Sequence, residues 1–168
     1  MISLLEKKLD YPYEVEDNTD ILTIRINKTN LIDVMKFLKS SDEFLFSQLT
    51  DLCAIDYSTF GISEWETEQS TSTGYNRGIN PQSHGRIKFG DISHKKNSKD
   101  RFCIVYHLLS IKHNSRIRVK VYLDDDDMVI PSTVNLWVAA DWYEREAFDL
   151  FGILFEGHPD LRRLLTDY

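Results

Sequence analysis

Two neighbouring strand patterns in the second half of the chain constrain its fold most. Residues 101–111, RFCIVYHLLSI, form a nearly continuous apolar run, which is typical of a central strand covered at least in part on both faces. After a turn at 112–115, residues 116–123 alternate between polar and aliphatic side chains. The alternation predicts a strand with its aliphatic side chains turned inward and Arg116, Arg118 and Lys120 turned outward.

The earlier part of the chain adds two helices and three strands. Apolar spacing predicts helices over 2–9 and from Leu31 to Leu38, the second capped by Thr29 or Asn30. Strands are predicted at 11–16, 21–26 and within 44–57, where Cys53 is interpreted as a small buried side chain. With terminal helices after the alternating strand, the order is α-β-β-α-β-β-β-α-α. This order predicts a single α+β domain over 1–168, with a helix layer on one face of a mixed or antiparallel sheet.

Composition excludes several classes of function. A net charge of −7 argues against nucleic acid as the main partner. Two cysteines cannot by themselves hold an iron–sulfur cluster or a structural zinc, and they give no disulfide framework. The N-terminus shows no signal peptide, so a reducing compartment is expected. The longest apolar run, 102–109, is too short to span a membrane, so any membrane association is expected to depend on partners.

Residues 61–100 interrupt the periodic patterns. They hold five of the seven glycines together with many Ser and Thr residues. We interpret them as a flexible polar insertion, which is the favoured reading over a metal or nucleic-acid role for His84 and His94. The outward cations of 116–120 allow two readings, solubility or docking to an acidic partner. The acidic run at 124–127 lacks the alternation of a calcium loop and is typical of a solvated turn.

The last 32 residues, 137–168, concentrate aromatic and charged side chains. A capping box of Asp141 with Glu144 predicts a helix over 142–151, in which Arg145 can reach Asp141 and Asp149. Gly152 is predicted to end this helix, and Ile153 to continue into an extended stretch. Another short helix is expected from Ser132 or Thr133 through 138, and a further helical turn from Pro159.

This density of charge does not predict catalysis. Glu144 and Glu146 point to nearly opposite sides of a helix, so they cannot serve as a paired acid and base. Glu146 and Asp149 can share a face, which is more typical of a surface or an interface. His158 has no second ligand at metal spacing, and Arg162 with Arg163 lacks a glycine-rich phosphate loop. No catalytic, cofactor-binding or metal site is therefore predicted.

Several motifs resemble one family. EREAFDLFGI at 144–153, GHPDLRR at 157–163 and LTDY at 165–168 fall in register with the C-type subunit, also called the 30 kDa-type subunit, of respiratory complex I, the proton-pumping NADH–quinone oxidoreductase. QLTDLCAIDY at 48–57, YHLLS at 106–110 and VIPS at 129–132 are also similar to that family. The residues assigned to the signature are Glu144, Arg145, Glu146, Asp149, Gly152, Gly157, His158, Pro159, Asp160, Arg162 and Arg163.

The resemblance implies a structural role in the peripheral arm of the complex. FMN and the iron–sulfur clusters would lie in partner subunits, and this chain would dock on the D-type subunit, which forms the quinone pocket, and on the B-type subunit, which holds the terminal cluster. The implied location is the cytoplasmic face of the bacterial inner membrane, or the matrix side of the mitochondrial one. Some signature residues would form an ion-pair network and others would contact partners. Trp137, Trp142 and Phe148 are the expected aromatic anchors, with burial in the domain's own core as the equal alternative.

Two departures and two rival functions accompany this expectation. Family members usually continue past the TDY motif with a further tail, and the insertion is longer than expected for the family. The first rival is the equivalent module of a membrane-bound hydrogenase or another quinone-reducing complex. The second is a stand-alone hydrolase that uses Glu146, Asp149 and His158, which the missing nucleophile disfavours.

Overall fold

A computed structural model describes residues 2–17, 19–58 and 99–166 of the chain. The predicted insertion, including His84 and His94, lies almost wholly outside the described residues, as do the last two residues of the LTDY motif. Three α-helices and seven strands make up the described part. They are α1 (Ile2–Lys8), β1 (Tyr13–Asp17), β2 (Leu22–Ile26), α2 (Leu31–Ser40), β3 (Gln48–Asp56), β4 (Phe102–Ser110), β5 (Ser115–Leu123), β6 (Val129–Pro131), α3 (Ala140–Phe151) and β7 (Leu154–Glu156).

Five strands form one mixed sheet in the order β1-β2-β5-β4-β3. The pairs β1–β2, β5–β4 and β4–β3 are antiparallel, and β2 runs parallel to β5 with Ile24 opposite Val119. β6 and β7 form a separate parallel pair, with Ile130 opposite Phe155. Since α3 connects these two strands, the C-terminal part of the fold is a β-α-β unit. The predicted α+β class with a mixed sheet is confirmed.

One face of the five-stranded sheet packs on the helices. The aliphatic residues of β5 are fully buried on this face, and the polar residues between them are partly exposed, as the alternation predicts. α2 covers the same core with a fully buried stripe of Leu31, Val34, Met35 and Leu38. Burying each such side chain contributes roughly 1.5–3 kcal/mol, so this layer is a main source of stability.

β4 is the central strand that its composition predicts. It lies between β3 and β5, and every residue from Phe102 to Tyr106 is buried. Cys103 and Val105 are therefore covered even though they point away from the helix layer. Tyr106 points into the core and is among the largest fully buried side chains. A strand that is covered on both faces has apolar side chains on both, so its sequence does not alternate between polar and apolar residues.

β3 departs from the prediction at Cys53, which is exposed. The ladder between β3 and β4 shifts register between Leu49 and Asp51, where an extra residue is accommodated. This bulge lets Leu49 and Leu52, three residues apart, both point into the core. Cys53 then points to the other face of an edge strand. The interpretation of Cys53 as a buried side chain was wrong because strict alternation does not hold across a bulge.

Three local predictions near the C-terminus were also wrong. The predicted helix from Ser132 to 138 is a series of turns, in which Leu136 and Trp137 both donate their N–H to the Thr133 carbonyl. These turns lead into α3, which begins at Ala140, so Asp141 lies inside the first helical turn and makes no capping box. The chain after Pro159 contains no helical turn within the described residues up to 166.

Two of the three outward cations of β5, Arg118 and Lys120, have partners within the chain. Lys120 donates to Glu16 at 2.8 Å, and Arg118 lies 3.7 Å from an oxygen of Asp20. The basic stripe is thus largely neutralised by the β1–β2 region, which favours the reading as a solvated outer sheet face over docking to an acidic partner.

A charged network joins the ends of β3 and β4. Arg101 forms two hydrogen bonds to Asp56, at 3.0 and 2.9 Å, and a third to Asp125 at 2.7 Å. Tyr57 donates its backbone N–H to the Arg101 carbonyl at 2.8 Å, which extends the ladder beyond the strands. The chain therefore leaves β3 and enters β4 side by side, whatever lies between these points.

Candidate functional site

α3 presents three different stripes at spacings of three or four residues. Ala140, Glu144 and Ala147 form the buried stripe, which faces the core. A lateral stripe of Asp141, Arg145 and Asp149 contacts the chain that follows β7. An outer stripe of Trp142, Glu146 and Leu150 is exposed to solvent. Because a helix advances 100° per residue, residues three or four positions apart lie on the same side of it.

Glu144 is the unexpected member of the buried stripe. Its side chain is completely buried, and its carboxylate accepts three hydrogen bonds. Ser132 Oγ donates at 2.6 Å, Thr133 N–H at 2.7 Å and Thr133 Oγ at 2.8 Å. Burial raises the pKa of Glu144, although the donors from Ser132 and Thr133 act in the opposite direction. The carboxylate therefore ties the turn after β6 to the middle of α3.

The segment 157–166, here called the C-terminal strap, runs along the lateral stripe of α3. His158 contacts Asp141 near the start of the helix, and Arg145 Nε donates to the Arg162 carbonyl at 3.2 Å. At the end of the helix, Asp149 binds the strap again. The strap and the helix thus run in the same direction and meet at intervals of four helical residues.

His158 anchors the start of the strap. Its side chain is fully buried. Nε2 lies 3.2 Å from the Asp141 carbonyl oxygen, and Nδ1 accepts the N–H of Asp160 at 3.0 Å. Since Nδ1 is an acceptor, the ring proton is on Nε2, which donates to Asp141. Nε2 also lies 3.2 Å from Asp141 Oδ1, a buried oxygen that accepts no hydrogen bond from the described residues.

Asp149 holds the end of the strap. One carboxylate oxygen accepts the backbone N–H groups of Leu164, Leu165 and Thr166 at 3.0, 2.6 and 3.0 Å. The other oxygen accepts the Thr166 hydroxyl in a short hydrogen bond. These donors, led by the Thr166 hydroxyl, hold the pKa of Asp149 well below its usual range. The carboxylate fills the place that a bound anion occupies in a backbone nest.

Two glycines make the turns that the strap requires. Gly152 ends α3 with φ +76°, and its N–H donates to the Phe148 carbonyl, as the predicted C-cap requires. Gly157 follows β7 with φ +81°. An L side chain would be strained at both positions. Between them, Ile153 and Phe155 insert into the core and fix the path from helix to strap.

The structure brings most of the predicted signature residues together, but not as predicted. Arg145 contacts the strap instead of Asp141 or Asp149, and its guanidinium lies 5.2 Å from the centroid of the Trp142 ring. Asp160 pairs with Arg162 at 3.0 Å on the exposed side of the strap. Three further residues of the predicted signature, Glu146, Pro159 and Arg163, are also exposed.

Sequence reasoning missed Ser132 and Thr133, the two donors to Glu144. They were predicted only as a possible helix start, because nothing in local periodicity links them to a carboxylate eleven or twelve residues later. Of the three expected aromatic anchors, Trp137 is buried, Phe148 is partly buried and Trp142 is 64% exposed.

The acidic groups of this site are engaged within the chain. The carboxylates of Glu144 and Asp149 are occupied by hydrogen-bond donors from the chain itself. In the part of the chain that the structure describes, no three His, Cys, Asp or Glu side chains are placed to hold a metal ion. A cleft between β1, β2 and β5 is lined by charges that pair with one another, Arg25 with Asp100 and Lys28 with Asp127. No described helix has the length and apolar content that crossing a membrane requires.

Several known proteins are similar to this chain in sequence and in fold. Residues 24–168 match the family model described as respiratory-chain NADH dehydrogenase, 30 Kd subunit. The C-type subunit of the NADH-quinone oxidoreductase of Coxiella burnetii (strain Dugway 5J108-111) is 48% identical over 149 residues, which are 89% of this chain and 63% of the relative. The chain thus spans less than two thirds of the length of this relative.

Solved structures give the same result for the fold. A trypsin-resistant fragment of Nqo5 superposes with a TM-score of 0.64 at 28% identity, covering 95% of this chain and 98% of the fragment. A chain of the membrane-bound sulfane sulfur reductase, an archaeal respiratory membrane complex, superposes with a TM-score of 0.60, covering 99% of this chain and 75% of that one. At 20% identity, the second likeness concerns the fold alone. Because the family model matches residues 24–168, most of the chain, the chain belongs to the family of the 30 kDa subunit of the respiratory-chain NADH dehydrogenase.

Proposed function

We propose that this chain is a non-redox structural subunit of the peripheral arm of an NADH–quinone oxidoreductase. One observation carries the proposal beyond family membership. Arg145, His158 and Asp149 hold the strap on α3, and five large apolar side chains remain exposed on this unit and the turn before it. Such a unit is suited to presenting a fixed surface to a partner and not to transforming a substrate.

The distribution of exposed apolar side chains supports docking through this unit. Among the described residues, nine large hydrophobic side chains are at least 40% exposed, and five of these lie between 138 and 166. The five are Val138, Trp142, Leu150, Leu154 and Leu165. Exposed apolar side chains that are concentrated in one structural unit are typical of a protein–protein interface. We infer that this unit, α3 with β7 and the strap, faces the quinone-pocket and terminal-cluster subunits.

The contribution to catalysis would be positional. Hydride transfer from NADH to FMN, electron transfer through iron–sulfur clusters and quinone reduction would take place in the partner subunits. Electron transfer depends steeply on the distance between centres, so a subunit that fixes its neighbours affects the rate without carrying a centre. The chain would be held at the cytoplasmic face of the bacterial inner membrane, or the matrix face of the mitochondrial one, through its partners.

A related quinone-reducing complex or membrane-bound hydrogenase is the second candidate. The fold likeness to a chain of an archaeal respiratory membrane complex keeps this candidate in view. It predicts the same architecture for this chain but different partner subunits. The two candidates are therefore distinguished by the proteins that the chain assembles with.

The test is affinity purification of the tagged chain from detergent-solubilised membranes of its source organism. Mass spectrometry of the eluate should identify the cluster-bearing and quinone-pocket subunits, and the eluate should reduce quinone with NADH in a reaction that rotenone or piericidin inhibits. Recovery of hydrogenase subunits would favour the second candidate. Recovery of the chain alone would contradict both.

Charge removal on the strap tests its part in assembly. The double change Arg162→Ala with Arg163→Ala should lower recovery of the partner subunits, because both residues are exposed on the strap. Lys112→Ala with Arg116→Ala is the matched control, since it removes two exposed cations at the β4–β5 end of the sheet. Normal assembly and activity of the strap variant would contradict a docking role for the two arginines.

A further inference from the structure

An exposed row of side chains extends along α3 and the turn before it. Val138, Trp142, Glu146 and Leu150 are spaced by four residues, and we call them the outer ridge. The three apolar members are 82%, 64% and 52% exposed, and Glu146 between them is exposed as well. From Trp142 to Leu150 the row extends about 12 Å along the helix axis. None of the sequence patterns for catalysis or ion pairing accounts for apolar side chains on this side.

The outer ridge is held rigidly from the opposite sides of its helix. The buried stripe fixes α3 on the core through Ala140, Ala147 and the hydrogen bonds of Glu144. The lateral stripe fixes it against the strap through Asp149. The Arg145 guanidinium lies over the Trp142 ring and restricts its orientation. Because the α3 backbone and the Trp142 ring are fixed before binding, they lose little conformational entropy when a partner docks.

The spacing and charge of the outer ridge indicate the chemistry of its partner. Rows of i, i+4 side chains pack into the grooves between such rows on another helix. Glu146 lies in the middle of the row, so docking would bury its carboxylate. The buried carboxylate would be unpaired unless the partner supplies a cation. The net charge of −7 also favours a partner surface with a basic rim.

Two other occupants fit less well. A symmetric pair of copies would place the two ridges against each other and bring their Glu146 carboxylates close together, which is repulsive. An anionic lipid surface would repel both Glu146 and the acidic chain as a whole. A partner protein with a basic residue in an apolar groove would bury the three apolar side chains of the outer ridge and would also pair with Glu146.

We propose that the outer ridge docks in an apolar groove between helices of a partner protein, with a Lys or Arg of that protein facing Glu146. This proposal rests on the proposed function, because the partner is expected to be one of the subunits that copurify with the chain.

Photo-crosslinking in the native complex locates the partner. Trp142→p-benzoylphenylalanine in the full chain should crosslink to one partner subunit, at a peptide that contains apolar residues and a Lys or Arg. Ile111→p-benzoylphenylalanine is the control, because Ile111 is 62% exposed in the turn between β4 and β5. Crosslinks of Trp142 to a second copy or to lipid, or equal yields at both positions, would overturn the proposal.

Charge reversal tests the cation. Glu146→Lys should lower recovery of the crosslinked subunit at least about tenfold, since a buried like-charge pair replaces an attractive one. Converting the facing Lys or Arg of that subunit to Glu should restore recovery. Asp33→Lys is the matched control, at an exposed acid on α2. Unchanged thermal unfolding of the purified variants would show that the fold is intact.

The outcomes separate this inference from the proposed function. A wild-type chain recovered without any partner contradicts the proposed function and the inference with it. A wild-type complex of the expected composition that is equally abundant with Glu146→Lys contradicts the inference alone.

Discussion

Asp149 accepts the backbone N–H of Leu165 at 2.6 Å, although the two residues are sixteen positions apart. The same oxygen accepts the N–H groups on either side of Leu165, so one side chain orders three consecutive amides. The contact links an acidic residue of α3 to the first two residues of the LTDY motif. The position of the strap depends on a carboxylate of the helix it follows.

Asp149→Asn should release the end of the strap. Asparagine has the shape of aspartate but loses the negative charge, and only one of its two terminal atoms, Oδ1, is an acceptor. Hydrogen exchange of the amides of 164–166 should accelerate by about tenfold, because hydrogen bonds to a charged acceptor are the stronger ones. Glu146→Gln makes the same change on the outer side of α3 and should leave these amides unaffected. Equal protection in both variants would show that Asp149 does not order the strap.

The protection of these amides should depend on pH in one direction. The pKa of Asp149 is lowered in the folded state, so its stabilising effect is complete above the unfolded value of about 3.9 and is lost as pH falls through the folded value. Protection factors of 164–166 should stay constant from neutral pH down to about pH 4 and decline only in more acidic solution. The amide of Met35 in α2 serves as the reference. A decline that begins near pH 5 would contradict the lowered pKa.

Glu144→Ala should destabilise the domain by about 3 kcal/mol, because Ser132 Oγ and both donors of Thr133 lose their acceptor in a buried place. Glu144→Gln keeps one acceptor oxygen and should cost about 1 kcal/mol. Urea unfolding followed by circular dichroism gives both values. Glu146→Ala, two residues away on the exposed side, should stay within about 0.5 kcal/mol of the wild type. A small effect of Glu144→Ala would mean that the turn after β6 does not depend on this carboxylate.

Tyr106→Phe should leave stability unchanged or raise it by up to about 1 kcal/mol. The Tyr106 hydroxyl is fully buried and has no hydrogen-bond partner among the described residues, and burial raises the pKa of the phenol. Removing an unsatisfied polar atom without changing the ring eliminates a desolvation cost. The measurement is the free energy of unfolding in urea, compared between Tyr106→Phe and the wild type. A loss above about 1 kcal/mol would reveal a partner for the hydroxyl, such as an internal water.

The sequence patterns predicted the elements whose signals are local and periodic. The stripe of α2 and the alternation of β5 both reflect a single buried face, and both are found in the structure as expected. The C-cap at Gly152 was predictable for a similar reason, since it depends on backbone conformation at one residue. The family resemblance identified the segment 144–168 but not the contacts inside it.

The contacts that build the candidate site depend on residues far apart in sequence. The Glu144 carboxylate was predicted to cap its own helix, yet its donors come from the turn after β6, and the helix begins too early for a cap at Asp141. Arg145 was expected to pair with acids one turn away, but the backbone of the strap lies closer. In each case a partner brought by the tertiary fold replaced the partner that sequence spacing offered.

The hydrogen bond from Tyr57 to the Arg101 carbonyl has a consequence for how this family can vary. It joins two positions forty-odd residues apart in sequence, and the entropy of bringing the ends of a chain segment together changes only with the logarithm of its length. Doubling or halving the number of residues between these two points would change the folding free energy by only about 0.6 kcal/mol. Relatives can therefore lengthen or shorten this connection with little thermodynamic penalty, while the Arg101–Asp56 ion pair keeps β3 and β4 in the same alignment.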